Sequence, residues 1–312
     1  MSAIGFIQTI RPFPIQLNIM TIKATIIADS VNALTGTRLT TFEMEYPRFI
    51  HSEVMTHRML SKNAASSRAI PIEKMHEHIK NDPGTPIYWG KNQSGMQAKE
   101  ELEGEELRLA KIIWAMAQND ALDYAMDLSK KGLHKQIANR VTEPFQTMKT
   151  IISGTEWANF FWLRDHPDAQ PEFQRLAASA KAAMEISKPN VLEPGVWHLP
   201  YINNANGKYS NNDQILKLED ARIISASCCA QVSYRKNDDT LEKAKMIFDR
   251  LVKTSPVHAS PVEHQATPMP DIKGFTEWPQ GVTHRRRDGS FWSGNFRDFI
   301  QFRQLVPNNS VW

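Results

Sequence analysis

The sequence predicts a mixed α/β (α+β) protein, because strand-like and helix-like hydrophobic patterns alternate along the chain. Apolar residues recur at every second position at Phe42, Met44 and Tyr46, as in a half-buried strand. The stretch from Glu101 to Lys130 instead carries apolar residues at helical spacing, with acids early and lysines late. A length of 312 residues allows one large domain or two ordinary ones.

The other elements are predicted from apolar periodicity bounded by Gly, Pro, Asn and Asp. Strands are expected from Met20 and over residues 37–46, joined as a hairpin. Helices are expected over 48–59, 71–80, 101–130, 134–149, 157–164, 169–186, 218–234, 239–252 and 295–305. We expect Arg297 and Arg303 to point outward from the last helix. Residues 188–213, rich in Pro, Asn and Gly, predict an ordered loop over the core that could act as a lid.

Composition excludes several classes of protein. The two cysteines, Cys228 and Cys229, are adjacent, so neither a disulfide framework nor a CxxC metal pattern is available. Histidines lack ligand spacing, and we expect no metal. No segment is long and apolar enough for a membrane span. Residues 1–19 lack the unbroken apolar core of a signal peptide, and we expect an N-terminal extension there. A reducing, cytoplasmic location fits best.

One segment is unusually rich in hydrogen-bond donors. Thr56 to Arg68 contains histidine, arginines, lysine, asparagine and three serines with almost no acid. Arginine, serine hydroxyls and backbone N–H groups are complementary to phosphate, so the segment favours an anionic ligand. A basic surface segment is the plainer interpretation.

The same segment resembles the RHRxxSxNExSxRY signature of the flavin-dependent thymidylate synthases. The matching residues are His57, Arg58, Ser61, Asn63, Ser66 and Arg68. A second resemblance carries an arginine before a Pro-containing helix, then NFxxxR and AQxE elements. It comprises Arg140, Asn159, Arg164, Ala169, Gln170 and Glu172.

Two further elements of that family resemble segments late in this chain. They are Gln231–Tyr234 and the residues His258, Ser260, Pro261, Glu263 and His264. Taken singly, the two histidines read as packing or capping residues. In the family these elements precede the signature, whereas here they follow it. Circular permutation is the simplest explanation, since chain termini commonly lie close together at a surface.

The resemblance implies a central, mostly antiparallel sheet flanked by helices over residues 20–312, with a C-terminal tail at 265–312. It implies a homotetramer with active sites between subunits. It also implies bound FAD, reduced by NADPH, and transfer of a one-carbon unit from methylenetetrahydrofolate to C5 of a pyrimidine deoxynucleotide, as in the conversion of dUMP to dTMP.

The resemblance also implies roles for particular residues. FAD would be held by His57, Arg58, Ser61, Asn63, Asn159, His258 and Ser260. The nucleotide would contact Glu53, Ser66, Arg68, Arg140 and Arg164, with the phosphate on Ser66, Arg68 and Arg140. Arg164 would be the catalytic residue, stabilising negative charge that develops on the pyrimidine ring.

Three departures from the signature leave the acceptor open. Thr56 replaces the first arginine, Ala64 replaces a glutamate, and Glu53 stands where glutamine is usual. A carboxylate at position 53 would repel phosphate or accept from an amino group. The alternative acceptor is therefore cytosine, as dCMP or in DNA, with methyl or hydroxymethyl transfer. The basic run at 284–287 favours DNA.

A hypothesis from another class is a non-catalytic protein that binds flavin or nucleic acid. The joint presence of Ser66, Arg140 and Arg164 argues against it. A permuted, diverged enzyme would suit a phage, and its location would then be the host cytoplasm.

Overall fold

The computed structural model of the protein describes residues 20–233, 239–272 and 277–310. Its helices are α1 His51–Met55, α2 Ile72–Asn81, α3 Gly104–Lys130, α4 Lys135–Ala138, α5 Trp157–Arg164, α6 Pro171–Ile186, α7 Leu218–Ala230 and α8 Leu241–Val252. Its strands are β1 Lys23–Asn32, β2 Arg38–Pro47, β3 Ser61–Ala64, β4 Thr147–Gly154, β5 Asn190–Leu192, β6 Asn203–Ala205, β7 Lys208–Asn211, β8 Gln214–Leu216, β9 Ala266–Pro268, β10 His284–Arg285, β11 Phe291–Ser293, β12 Phe296–Arg297 and β13 Phe299–Gln301. The 3-10 helices span Arg48–Ile50, Asn139–Phe145, Ser260–Val262 and Phe302–Leu305.

A five-stranded sheet in the order β3-β4-β2-β1-β5 organises the chain. The pairs β1–β2, β2–β4 and β3–β4 are antiparallel, and β5 joins β1 in parallel. The predicted hairpin and the mostly antiparallel sheet flanked by helices are confirmed. In the register, Ser61 of β3 lies opposite Ser153 of β4, which fixes the position of the donor-rich segment at one edge of the sheet.

The two faces of the sheet are covered by different parts of the chain. Phe42, Met44 and Tyr46 face α5 and α6 and are fully buried in the largest hydrophobic cluster. On the other face, Ile151 packs against Cys229 of α7. Successive side chains of a strand point to opposite faces of the sheet. Each residue of β3, which lies within the signature segment, therefore faces one of these two environments.

The predicted helix over 134–149 is wrong in its second half. Helix α4 ends at Ala138, the 3-10 helix carries Pro144, and residues from Thr147 onward form the interior strand β4. Both Ile151 and Ile152 are fully buried, because this strand has a covered surface on each side. A strand buried on both faces shows no alternation, which is why the pattern failed to reveal it.

The predicted helix over 295–305 is also wrong. Two short strands, β12 and β13, flank Asp298, which has a φ of 58°, and a 3-10 helix follows. Left-handed backbone at Asp298 is incompatible with a continuous helix. Arg297 and Arg303 do not simply point outward, since they pair with Glu156 and Glu263.

Several smaller differences concern the ends of elements. The helix predicted over 48–59 is reduced to a 3-10 turn and α1, and the loop predicted over 188–213 contains β5 to β8. The segment predicted as a tail packs Phe296 and Phe299 against Leu39 of β2, so it forms part of the core. Residues 1–19 and Tyr234 lie outside the described residues. Among the described helices, none meets the length and hydropathy needed to cross a membrane.

Candidate active site

The turn after α1 and the last residue of α5 bring His57 and Arg164 together. Phe160 and Arg164 share one face of α5 because they are four residues apart. Phe160 is buried and meets the His57 ring edge-on, with the centroids 5.0 Å apart. Phe173 of α6 contacts both groups, at 5.8 Å from the imidazole centroid and 4.6 Å from the Arg164 guanidinium. Two helices therefore fix this pair through aromatic packing.

The Arg164 guanidinium makes one short contact and two long ones. Its Nε donates to His57 Nε2 at 2.9 Å. Its Nη1 lies 3.4 Å from Glu53 Oε2, and its Nη2 lies 3.5 Å from Thr56 Oγ1. Such long contacts are weak hydrogen bonds. The outer edge of the guanidinium can therefore exchange these partners for a ligand without losing the bond to His57.

His57 is the neutral partner in this pair. Burial, together with the positive charges of Arg164 and Lys62, lowers its pKa to about 4. Because Nε2 accepts a hydrogen bond from Arg164, the proton of the neutral ring resides on Nδ1. His57 therefore acts as an acceptor that orients the guanidinium.

A cleft of about 190 Å³ opens beside this pair. It is lined by Thr56, His57, Arg58, Met59, Leu60, Glu156, Asn159, Phe160, Leu163 and Arg164. Arg58 and Asn159 are exposed at it. The structure thus brings together four of the predicted site residues: His57, Arg58, Asn159 and Arg164. Glu53 adjoins them through its contact with Arg164.

Lys62 lies beside the cleft without lining it, and the sequence analysis gave this residue no role. Its Nζ donates to the backbone carbonyl oxygens of His57 and, at 2.9 Å, Leu60. Burial lowers the pKa of Lys62 to about 8, although the Glu263 carboxylate opposes this shift. Lys62 lies inside the signature. A strand assignment for residues 61–64 would have predicted that its side chain points to the face of the sheet where His57 lies.

The alternation of β3 separates two predicted cofactor ligands from the cleft. Ser61 and Asn63 point to the face opposite Lys62, toward the C-terminal segments. Ser61 Oγ donates to Asn295 Oδ1 at 3.0 Å, and Asn63 Nδ2 donates to the carbonyl oxygen of Cys229. The structure does not bring these two side chains into the cleft.

A second group of charges surrounds Glu143. Its Oε1 accepts from Arg140 Nη1 at 2.8 Å and from Ser67 Oγ at 3.2 Å, and it pairs with Arg48 Nη2 at 2.8 Å. One carboxylate oxygen thus contacts two guanidinium groups, and the cluster keeps a net positive charge. The neighbouring Ser66 Oγ accepts from the backbone N–H of Arg68, whose side chain is exposed. Glu143 therefore joins Arg140 to the segment that contains Ser66 and Arg68, through its contact with Ser67.

Late elements of the chain contact the signature segment. The backbone N–H of Ser66 donates to Ser233 Oγ at 2.9 Å. Gln301 Nε2 bridges Ser61 Oγ at 3.2 Å and the carbonyl oxygen of Glu263 at 2.9 Å.

Two late residues are placed differently. His258 and Ser260 are exposed, and neither lines the His57 cleft. The backbone N–H of His258 donates to the carbonyl oxygen of Leu251, at the end of α8.

A buried chain of hydrogen bonds crosses the other face of the sheet. His198 contacts Ser30 Oγ and Thr41 Oγ1 at 2.8 Å each, and Ser153 Oγ lies 2.7 Å from Thr41 Oγ1 and 2.8 Å from His264 Nδ1. Burial lowers the pKa of His198 to about 4 and that of His264 to about 3. Both rings are neutral, and the packing interpretation of His264 agrees with this placement.

Other clefts exist, but the predicted site residues do not line them. One of about 530 Å³ lies between α7, α8 and the Phe302–Leu305 turn. Another of about 290 Å³ contains Asp29, Ser30 and His198. Within residues 20–233, 239–272 and 277–310, His, Cys, Asp and Glu form no group of three that could hold a metal ion.

The protein is a mixed α/β fold with arginines in two groups beside the signature segment, Arg164 at the cleft and Arg48 and Arg140 around Glu143. Residues 37–189, about half of the chain, match the family model of the thymidylate synthase complementing proteins, and the chain belongs to this family. This membership places it among enzymes of pyrimidine nucleotide C5 methylation. Residues 231–264 lie outside the match, so the circular permutation stays a prediction.

The solved structures offer a more distant likeness. The crystal structure of the UMP/dUMP methylase PolB from Streptomyces cacaoi, bound with 5-Br UMP, is 15% identical to this chain with a TM-score of 0.45. The alignment covers 53% of this chain and 89% of that one. A search of curated proteins found no match.

The residues fit an FAD group only in part. His57, Arg58 and Asn159 offer polar atoms along one cleft, whereas Ser61 and Asn63 are engaged elsewhere. A cleft of about 190 Å³ is smaller than the ~300–1,000 Å³ of ordinary ligand pockets. The sites between subunits that the resemblance implies stay a prediction.

Proposed function

We propose that this protein transfers a one-carbon unit from methylenetetrahydrofolate to C5 of a pyrimidine deoxynucleotide, in the manner of dUMP to dTMP conversion. Bound FAD, reduced by NADPH, would supply the redox chemistry of this transfer. The observation that carries the proposal is the Arg164–His57 pair, fixed at a cleft within the segment that matches the family.

The cofactor would be bound along the cleft by His57, Arg58 and Asn159. We propose that a second subunit completes this site in a homotetramer, because one chain leaves the cleft small and open. Ser61 and Asn63 then act indirectly, by joining β3 to the C-terminal segments. Direct contact of His258 and Ser260 with the cofactor would require them to face the cleft of another subunit, since both are exposed.

Arg164 would act on the pyrimidine ring. Its bond to neutral His57 holds the guanidinium while Nη1 and Nη2 remain available to an anionic or carbonyl oxygen. A positive charge that is already oriented stabilises charge developing in the transition state without reorganisation. The pKa of His57, at about 4, keeps the imidazole neutral and therefore leaves the full charge on Arg164.

The nucleotide phosphate would bind at Ser66, Arg68 and Arg140. Glu143 occupies Arg140 with a carboxylate oxygen, which resembles a phosphate oxygen in charge and geometry. Substrate binding would therefore displace Glu143 from Arg140, while the bond to Arg48 provides an alternative partner.

Glu143→Gln is expected to tighten nucleotide binding. Loss of the carboxylate charge removes the competitor for Arg140, and a change of about 1 kcal/mol corresponds to a several-fold lower Kd. Titration calorimetry with dUMP or dCMP measures this change. Glu105→Gln is the matched control, because Glu105 pairs with Arg108 at an exposed turn of α3. An unchanged or weaker affinity in Glu143→Gln would count against competition at the phosphate site.

A second acceptor is favoured by one contact. The Glu53 carboxylate lies 3.4 Å from the Arg164 guanidinium, next to the proposed position of the base. A carboxylate accepts hydrogen bonds and does not donate them, so it suits the exocyclic amino group of cytosine. Transfer of a methyl or hydroxymethyl group to cytosine in dCMP or DNA is therefore the second candidate.

The experiment that tests the proposal has two parts. An absorbance scan of the purified protein is expected to show bound flavin. Folate-dependent oxidation of NADPH is then measured with dUMP, dCMP and DNA offered separately, and one of them is expected to stimulate the rate. A colourless protein without stimulated oxidation would support the non-catalytic alternative.

A further inference from the structure

A basic hairpin stands at the rim of the cleft. We use this name for residues His284–Arg297, in which β10 pairs with β11 and β11 pairs with β12, both antiparallel. The four basic side chains at its tip, His284, Arg285, Arg286 and Arg287, are all exposed. The hairpin therefore presents a compact positive surface that the core of the fold does not need.

Two of its guanidinium groups are stacked on aromatic rings. Arg286 lies 3.8 Å from the Trp292 ring centroid, and Arg285 lies 5.3 Å from that of Phe291. The His284 ring stacks on Trp292 at 5.9 Å. Stacking of a planar guanidinium holds it in one orientation and leaves its N–H edges open to phosphate oxygens.

The hairpin is joined to the candidate active site by direct contacts. Arg286 Nη2 lies 3.5 Å from Met59 Sδ, and Arg297 Nε donates to Glu156 Oε1 at 2.9 Å. Both Met59 and Glu156 line the cleft of His57 and Arg164. The positive surface consequently continues from the hairpin through the exposed Arg58 to the cleft.

The hairpin carries one carboxylate, Asp288, against the three arginines Arg285, Arg286 and Arg287 at its tip, so the net charge of the tip stays positive. Asp288 accepts from the backbone N–H of Ser290 at 2.9 Å and from its hydroxyl at 2.6 Å, which holds the carboxylate in the turn. Beside the arginines, Trp278 is 50% exposed and meets Phe291 edge-on at 5.9 Å. Basic groups combined with an accessible aromatic ring are the usual elements of single-stranded nucleic-acid binding.

We propose that the basic hairpin binds the sugar–phosphate backbone of single-stranded DNA and directs one pyrimidine base into the His57 cleft. This inference rests on the proposed function and adds a single-stranded polynucleotide to its acceptors, beside the free nucleotide. A mononucleotide has a single phosphate group, for which Ser66, Arg68 and Arg140 suffice. The additional arginines of the basic hairpin can bind further phosphate groups of a longer strand. A single strand is required because a base inside a duplex cannot enter a recessed cleft without leaving the stack.

The test is fluorescence anisotropy with a fluorescein-labelled, single-stranded oligodeoxynucleotide of mixed pyrimidines. The variant Arg285→Gln/Arg286→Gln/Arg287→Gln is expected to raise Kd by about tenfold or more at low salt. It should also reduce the slope of log K against log salt by about 2, since each phosphate contact on a single strand contributes about 0.7. The milder variant Arg285→Gln/Arg287→Gln keeps the Arg286–Met59 contact. Its Kd is expected to lie between those of the unaltered protein and the triple variant.

The matched control is Arg108→Gln/Lys130→Gln/Lys131→Gln on and after α3, which removes the same charge from exposed positions. An equal loss in this control would overturn the proposal, because binding would then follow net charge alone. Normal oligonucleotide binding by both hairpin variants would overturn it as well. The proposal would also be overturned if the hairpin variants raised the KM for methylenetetrahydrofolate without changing oligonucleotide binding. The hairpin would then be a folate-binding element.

Failure of the proposed function remains distinguishable from failure of this inference. Flavin absorbance and turnover of free dUMP and dCMP by the unaltered protein test the former. Oligonucleotide affinity and its salt slope test the latter. Specific binding without any turnover would therefore retain the hairpin as a DNA-binding surface and remove only the catalytic assignment.

Discussion

Arg164→Ala is expected to abolish turnover while the purified protein stays yellow. Removal of one preorganised charge-stabilising group commonly lowers kcat by about 10²–10³. The Arg164 guanidinium donates to His57 Nε2 at 2.9 Å and otherwise makes only long contacts with Glu53 and Thr56. Its loss therefore removes the charge at the cleft and the contact with Phe173, while the edge-on packing of Phe160 and Phe173 against His57 remains. The measurement is kcat with the preferred nucleotide, beside the flavin absorbance of the same sample.

Two further variants separate charge from geometry. Arg164→Lys keeps the charge but lacks the planar fork that contacts His57 and Glu53 together, so we expect only partial recovery of kcat. Arg108→Ala removes an exposed arginine that pairs with Glu105, and its rate should equal that of the unaltered protein. A colourless Arg164→Ala protein would assign this residue to cofactor binding, and a normal rate would remove it from the reaction.

Acidification is expected to destabilise the fold well before the carboxylates titrate. In the unfolded chain histidine has a pKa near 6.5, whereas burial lowers the pKa of His198 to about 4 and that of His264 to about 3. Between these values the unfolded state binds more protons than the folded state. The contribution of these two histidines to the free energy of unfolding is therefore constant above about pH 6.5 and falls as the pH decreases toward 4.

The expected size of this effect is large. One pKa unit corresponds to about 1.4 kcal/mol, so His198 alone accounts for roughly 3 kcal/mol across this range. Denaturant titrations at several pH values measure it. His198→Gln is expected to flatten the acid limb of the stability curve, whereas His134→Gln, at an exposed helix cap, should leave it unchanged. An equally steep limb in both variants would show that the buried histidines are not its cause.

The sequence predicts the parts of the fold in which one face of an element is buried. The alternation of Phe42, Met44 and Tyr46 identified β2, and the spacing of α3 identified a long amphipathic helix. Strand β4 was not predicted, because Ile151 and Ile152 are both fully buried and the strand therefore lacks an alternation of apolar and polar residues. Strands β12 and β13 were predicted as part of a helix, because Phe296 and Phe299 are spaced by about one helical turn.

The candidate site was predicted as a set of residue types, and the structure adds their directions. His57, Asn159 and Arg164 were expected together and do line one cleft. Ser61 and Asn63 belong to the same signature but point to the opposite face, because residues 61–64 form a strand. No hydrophobic pattern in the sequence predicts that strand, because it contains a single apolar residue, Ala64. Glu143 was missed because its importance depends on tertiary contacts with Arg48 and Ser67.

The most direct measurement of the central claim is mass spectrometry of the nucleotide product formed with isotopically labelled methylenetetrahydrofolate. The purified flavoprotein, NADPH and either dUMP or dCMP are incubated together, and the base is analysed. Our account predicts one labelled carbon on C5 of a pyrimidine, formed by the unaltered protein and absent with Arg164→Ala. An unlabelled base from a protein with full flavin content, or the same labelled product from Arg164→Ala, would contradict it.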